Sequence, residues 1–104
     1  MPGVDFNVVR QRISMADVLR LLQLEPTSVL GDAWRGPCPI HGSTSRRSRS
    51  FSANVRRGRY QCFRCGSRGN ALELWAAVHG IGVYDAAIEL CEALRIEVPW
   101  IKRW

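Results

Sequence analysis

Four residues stand at spacings that favour metal binding. Two residues separate Cys38 from His41, two residues separate Cys62 from Cys65, and twenty residues lie between the two pairs. Two intervening residues let a tight turn aim both side chains at one ion, and three thiolates with one imidazole form the closed Cys₃His set of structural zinc sites. The sequence therefore predicts one structural Zn²⁺ ion bound by Cys38, His41, Cys62 and Cys65.

Other uses of cysteine explain this spacing less well. A disulfide framework is uncommon in a chain with intracellular features, where paired C-x₂-C spacings more often bind metal. A redox C-x₂-C motif needs neither Cys38 nor His41. An iron–sulfur cluster stays open on ligand type alone. The remaining cysteine, Cys91, lies on the apolar stripe of a predicted helix and is expected to fill the core.

The same residues argue against catalysis. A zinc ion with four protein ligands has no open position at which to activate water. A zinc deaminase needs a His-x-Glu motif, and neither His41 nor His79 has a glutamate two residues later. The nine acidic residues are scattered and include no Asp-x-Asp pair that would hold magnesium for phosphoryl transfer. We therefore predict a protein that is not itself an enzyme.

The metal-binding segment is also strongly basic. No Asp or Glu occurs from Ala33 to Leu72, although nine arginines do. Such uncompensated positive charge attracts polyanions, and guanidinium groups match phosphate oxygens. Eight of these arginines are predicted to contact phosphates: Arg46, Arg47, Arg49, Arg56, Arg57, Arg59, Arg64 and Arg68.

Aromatic residues are interleaved with the arginines. Tyr60, Trp34 and Phe63 are predicted to stack on unpaired bases, which favours a single strand over a duplex. Phe51 is the exception, because it alternates with Ser50 and Ser52 in a strand pattern and is expected to be core.

The elements that must position these residues follow from local patterns. Ser50–Val55 alternates apolar and polar residues and predicts a strand, and a turn at Gly58 leads to a second strand over Arg59–Cys62. Ser14 and Asn70 are predicted to cap helices. The predicted organisation is one domain over 1–104, with a helical segment (5–24), a zinc-bound β core (29–70), a helical hairpin (71–95) and a tail (96–104).

Composition places the chain among folded proteins. Its 104 residues suit one domain, 46% are hydrophobic, and the net charge is +6. No apolar run approaches the ~18 residues of a membrane-spanning helix, and the first residues do not resemble a signal peptide. We expect a cytoplasmic, nucleoid-associated protein with no membrane partner.

Four motifs together resemble the zinc-binding domain of bacterial and phage DNA primases: RGPCPIH at 35–41, SFSANV at 50–55, YQCFRCG at 60–66 and GNAL at 69–72. The resemblance implies an α+β zinc ribbon, a small antiparallel β-sheet with zinc knuckles at one end and helices packed on one face. It also implies that the four motif residues bind zinc and that the exposed sheet face contacts single-stranded template DNA. In that family a separate catalytic domain makes the primer.

We therefore predict a noncatalytic, zinc-stabilised module that binds single-stranded DNA in primer synthesis, acting with a catalytic primase, polymerase or helicase partner. Two alternatives stay open. One is an adaptor that docks on a replication or recombination enzyme. Trp100 and Trp104 of the predicted tail favour this alternative. The other is a duplex-binding regulator of a mobile element.

Overall fold

A five-stranded antiparallel sheet forms the middle of the protein in the computed structural model, which describes residues 3–40 and 50–101. Each strand pairs with the next along the chain, so the sheet order is the chain order. The strands are β1 (Ser28–Leu30), β2 (Ala33–Gly36), β3 (Phe51–Asn54), β4 (Arg59–Cys62) and β5 (Arg68–Asn70).

Helices flank the sheet along the chain. Within the described part, two precede it and two follow it: α1 (Phe6–Arg12), α2 (Met15–Leu21), α3 (Ala71–His79) and α4 (Val83–Ala93). The two C-terminal helices pack against each other and are linked by the Trp75 indole N–H, which donates to Glu89 Oε1 at 3.1 Å. No helix among the described residues is long and apolar enough to cross a bilayer.

Reciprocal side-chain bonds fix the starts of α2 and α3, as the sequence predicts. The Asp17 N–H donates to Ser14 Oγ at 3.1 Å, and the Ser14 N–H donates to Asp17 Oδ2 at 3.1 Å. Asn70 and Glu73 form the same capping box at α3, at 2.9 and 3.2 Å. The second box ties α3 directly to β5, because Asn70 is the last residue of that strand.

The register divides the sheet into a packed face and an open face. Phe51 pairs with Cys62 and Ala53 pairs with Tyr60, and all four side chains are buried. Directly paired residues in an antiparallel sheet share a face, and neighbours along a strand alternate. The intervening pair, Ser52 with Gln61, therefore points to the opposite, open face.

The core lies between the packed face and the helices. Phe51 is fully buried, as predicted, and its ring stacks on that of Tyr60 at 5.7 Å. Cys91 is buried at 1% exposure, also as predicted. The other large side chains of this cluster come from all four helices and include Val9, Met15, Val18, Leu72, Leu74 and Leu90.

Both ends of the described chain meet. Val4 and Trp100 form an antiparallel bridge, the Asp5 N–H donates to the Pro99 carbonyl at 2.7 Å, and the Ile101 N–H donates to the Gly3 carbonyl at 2.7 Å. Residues 99–101 of the predicted tail thus pair with the N-terminal segment. The rest of the tail, 102–104, lies outside the described residues.

Several element bounds differ from the sequence prediction. In the segment predicted as helical over 5–24, α2 ends at Leu21, and the helical hairpin predicted over 71–95 ends at Ala93. Gln23 and Arg95 have φ of 55° and 57°, a left-handed conformation that cannot continue an α-helix. The predicted hairpin is confirmed, whereas β1, β2 and β5 were not predicted, because strands of three or four residues give too little alternation to detect.

Candidate metal centre and nucleic-acid interface

Sheet pairing brings the two ends of the metal motif together. Gly36, the last residue of β2, pairs with Phe51 at the start of β3, and Phe51 pairs with Cys62 at the end of β4. The segment after β2 and the turn after β4 therefore meet at one end of the sheet. Cys38 lies in that segment and Cys65 in that turn.

The three thiols have the spacing of a metal site. The Sγ atoms of Cys38, Cys62 and Cys65 all lie within 4.8 Å of one another, and those of Cys38 and Cys65 are 4.0 Å apart. Zn–S bonds of about 2.3 Å in tetrahedral geometry place two sulfurs about 3.8 Å apart, whereas a disulfide requires about 2.05 Å. All three cysteines are free thiols, so the geometry fits metal coordination and excludes a disulfide among them.

The local backbone favours the ligating form of Cys62. Burial acts to raise the pKa of its thiol. Hydrogen bonds from the backbone N–H groups of Cys65 and Arg64, together with those to the Cys65 and Cys38 thiols, outweigh that effect and lower the pKa to about 6. The Cys65 N–H lies 3.4 Å from the Cys62 sulfur. Gly66 permits this tight turn with φ of 78°, and its N–H donates to the Cys62 carbonyl at 3.0 Å. Cys62 is therefore prepared to bind metal as a thiolate.

The fourth predicted ligand, His41, lies outside the described residues. Its neighbours Cys38 and Ile40 are described, and Cys38 is already in the thiol cluster. The donor set that the structure shows, three soft sulfurs in a partly buried pocket, suits zinc. Assigning the fourth position to His41 stays a prediction.

A row of polar side chains crosses the open face of the sheet. Ser28 pairs with Arg35, Arg35 with Ser52, Ser52 with Gln61 and Gln61 with Arg68, so these residues stand side by side across all five strands. Part of this row lines an open cleft, which also contains Asn54, Arg57, Arg59 and Glu73. The face offers guanidinium, hydroxyl and amide groups that can contact phosphates and base edges.

Phe63 extends the open face towards the cysteines. It is 62% exposed, and the Arg35 guanidinium carbon lies 5.2 Å from the centre of its ring. This is cation–π distance, and it leaves a large aromatic surface in solvent next to a positive charge. Of the three predicted stacking residues, Phe63 is therefore the one that the structure places beside the polar row.

The structure places the other two aromatic candidates on the packed face, which corrects the prediction for Tyr60. Tyr60 is only 4% exposed, its ring stacks on Phe51, and its hydroxyl hydrogen-bonds Ser67 at 2.8 Å. Trp34 is half-buried and meets the Phe51 ring edge to face at 6.1 Å. Strand alternation directs both side chains to the packed face, where Tyr60 is too buried to stack on a base. Base stacking by Trp34, whose ring is partly exposed, stays a prediction.

The described arginines of the predicted set fall in three places. Arg59 and Arg68 line the open face, Arg56 and Arg57 lie at the hairpin turn, and Arg64 lies in the turn between Cys62 and Cys65. All five are exposed. The other three predicted arginines, Arg46, Arg47 and Arg49, lie outside the described residues.

The structure adds residues that the sequence reasoning missed. Arg35 belongs to the basic segment but has no predicted contact, and the sequence pattern predicts no role for Ser52, Asn54 and Gln61. The polar positions of β3 alternate with its buried ones, so that alternation was a usable signal for Ser52 and Asn54. No local signal marked Arg35, because its partner Phe63 is distant in sequence.

Comparison with known proteins agrees with this site. The profile of the CHC2 zinc finger, the zinc ribbon of DnaG primases, matches residues 3–103. A DNA primase of Lactococcus lactis is 33% identical over 86 residues, which cover 83% of this chain and 13% of that protein. A DNA primase of Rickettsia bellii is 28% identical over 94 residues, 90% of this chain and 15% of that protein.

A solved structure shows the same fold. This chain superposes on a crystal structure of the zinc-binding and RNA polymerase domains of the Aquifex aeolicus primase with a TM-score of 0.74, at 25% sequence identity. The match covers 92% of this chain and 23% of that one. The chain thus spans a small fraction of the primases that it matches. Because the profile covers nearly every residue and the cysteine cluster has the required geometry, the chain belongs to the CHC2 zinc finger family of primase zinc ribbons.

Proposed function

We propose that this protein is a zinc-stabilised module that binds single-stranded template DNA on its open sheet face, alongside a catalytic primase domain. The observation that carries the proposal is the row of polar and arginine side chains across the sheet, with exposed Phe63 at its metal end. Membership in a primase family and the relatives' names support the template and the catalytic partner.

The zinc ion in this proposal is structural. Cys38, Cys62, Cys65 and His41 would hold it, and its role is to pin the segment after β2 to the turn after β4. These two segments carry Phe63 and adjoin Arg35, so their fixed positions keep the aromatic ring and the guanidinium in line with the polar row. With four protein ligands the ion would have no position for substrate.

A single strand suits the open face better than a duplex. The face is a broad sheet surface with an exposed ring, on which an unpaired base can stack, and its arginines can track the phosphates. A duplex hides its base faces and is read mainly by elements that enter a groove. Ser52, Asn54 and Gln61 supply hydrogen bonds to the edges of splayed bases.

Catalysis is assigned to a partner. Among the described residues, the only group of three or more potential metal-ligating side chains is the cysteine cluster, to which we assign a structural ion. The proposed partner is a catalytic primase or polymerase domain, or a replicative helicase. Binding of template would place the protein at the nucleoid.

Titration of the zinc-loaded chain with single- and double-stranded oligonucleotides at several salt concentrations tests the proposal. If five arginines neutralise phosphates, the slope of log K against log salt should be about −3.5 for single strands. Binding of the single strand should be tighter than that of the duplex. A slope near zero would contradict the electrostatic interface, and tighter duplex binding would favour the regulator of a mobile element.

Removal of the negative charge of Glu73 is expected to strengthen the binding of single strands. Its carboxylate lines the open cleft beside Arg68 and would face the phosphates of a bound strand. A Glu73→Gln variant keeps the capping box, since glutamine caps as well as glutamate. We expect its affinity for single strands to rise about two- to fivefold, the effect of an exposed charge worth ~0.5–1 kcal/mol.

Fluorescence anisotropy with labelled oligo-dT measures this change. Glu92→Gln on α4 is the matched control, because it removes the same charge from an exposed position that does not line the cleft. An equal rise in both variants would indicate a general charge effect, and an unchanged affinity in Glu73→Gln would show that the strand does not pass this point.

A second candidate function, docking on a protein partner, is favoured by one observation. Trp100 is 42% exposed and Ile101 is 39% exposed, and the Trp100 ring lies 6.4 Å from that of Tyr84. Exposed tryptophans often anchor protein interfaces. Capture of a catalytic primase domain by a chain that binds no single strand would select this function over the first.

A further inference from the structure

A second cleft lies on the helical side of the β3–β4 hairpin. It has a volume of about 370 Å³ and is lined by the hairpin turn, the break between α1 and α2, and the start of α3. Its lining also includes the apolar residues Ile13, Met15 and Val55. The open-face cleft and this one share Arg57 and Arg59, so the two are joined around the tip of the hairpin.

The charged side chains that line this second cleft are all positive. Four arginines line it, namely Arg10, Arg56, Arg57 and Arg59, and none of its lining residues is acidic. Within residues 3–40 and 50–101, none of these four guanidinium groups lies at ion-pair distance from a carboxylate. Four unneutralised guanidinium groups around one cleft form a field that favours phosphate oxygens.

Arg10 is the least expected member of this group. It lies on α1, far in sequence from the basic segment, and its Nη2 donates to Asn7 Oδ1 at 2.7 Å. This bond orders the side chain on the helix surface and leaves its other N–H groups for a further acceptor. The fold therefore brings Arg10, a cation from outside the basic segment of the sequence, to the tip of the hairpin.

We infer that this cleft is a second phosphate-binding site, in which the backbone of the bound single strand continues around the hairpin tip after it leaves the open face. The inference rests on the proposed function and deepens it, since it sets the path and length of the bound strand. Continuity through Arg57 and Arg59 favours the same strand as occupant over a separate anion. Arg10 and Arg56 line only the second cleft and are its diagnostic residues.

The length dependence of oligo-dT binding tests this path. Strands of about 4 to 16 nucleotides cover the usual range of site sizes for small single-strand binders. Two additional phosphate contacts should make the salt slope of long strands more negative than that of short ones by about 1.4. The affinity advantage of long over short strands should then shrink about sevenfold between 50 and 200 mM salt.

The variant Arg10→Gln/Arg56→Gln should abolish this difference by lowering the affinity and the salt slope of long strands. Arg12→Gln/Arg20→Gln is the matched control, because it also removes two arginines from the surface but neither residue lines the second cleft. Zinc content and circular dichroism verify that both variants are folded. Inorganic phosphate is then added as a competitor at matched ionic strength. It should weaken the binding of long strands only at millimolar concentration. Competition at micromolar concentration would indicate a site for free phosphate and would overturn the inference.

The outcomes separate this inference from the proposed function. If single strands bind but the slopes for long and short strands are equal, or if the difference persists in Arg10→Gln/Arg56→Gln, the second site is wrong and the open-face interface stands. If strands of every length fail to bind the zinc-loaded chain, both are wrong.

Discussion

A Cys62→Ser variant should bind no zinc and lose the ordered packing of the sheet. Cys62 is fully buried, belongs to the thiol cluster, and pairs with Phe51 in the centre of the core. Zinc binding in sites of this type contributes about 10–16 kcal/mol, which exceeds what a small core supplies alone. The hydroxyl is also a poor ligand for zinc. Elemental analysis should change from one zinc per chain to none, and the near-UV circular dichroism of the aromatic core should collapse.

Cys91→Ala provides the matched control. Cys91 is as buried as Cys62 but lies on α4, outside the thiol cluster, and burial raises the pKa of its thiol so that it stays neutral. This variant should keep one zinc per chain and lose only about 1 kcal/mol of stability, the usual effect of a small core truncation. Retention of stoichiometric zinc and a native spectrum in Cys62→Ser would refute the role of this thiol.

The double variant Arg59→Gln/Arg68→Gln should bind single-stranded DNA about 30-fold more weakly, because two exposed phosphate contacts of ~1 kcal/mol each are removed. Arg59 and Arg68 lie on the open face and line its cleft. The salt slope should become less negative by about 1.4. Both changes are measured by anisotropy titration with oligo-dT at several salt concentrations.

The comparison variant for this experiment is again Arg12→Gln/Arg20→Gln, which has the same net charge. Arg20 pairs with Asp17 on α2, and neither substituted residue lines the open cleft. Its affinity should fall by far less than that of the open-face variant. Equal losses in the two variants would show that net charge, and not the open face, determines binding.

The metal site and the element starts could be predicted from the sequence because their signals are local. Two residues between ligands, a capping residue followed three positions later by its partner, and a short alternating strand all report on neighbouring residues. Ser14, Asn70 and Phe51 are therefore placed as predicted. The convergence of Cys38 with Cys62 also follows, since a single hairpin between them is enough to bring them together.

The interface could be predicted only in part because a residue's side of the sheet depends on register. The composition of the basic segment identified the arginines and aromatics, but it did not separate Phe63 from Tyr60. The two side chains differ in solvent exposure, since Phe63 is 62% exposed and Tyr60 is 4% exposed. Likewise, Arg10 joins the hairpin tip only through the packing of α1 against the rest of the fold, which no local pattern encodes.

X-ray absorption spectroscopy at the zinc edge of the loaded chain tests most directly whether one ion holds the segment after β2 and the turn after β4 together. We expect one zinc per chain with three sulfur neighbours at about 2.3 Å and one nitrogen neighbour at about 2.0 Å, and loss of the nitrogen neighbour in His41→Ala. A shell with fewer than three sulfurs, or a chain that folds and binds DNA with no bound zinc, would contradict the account.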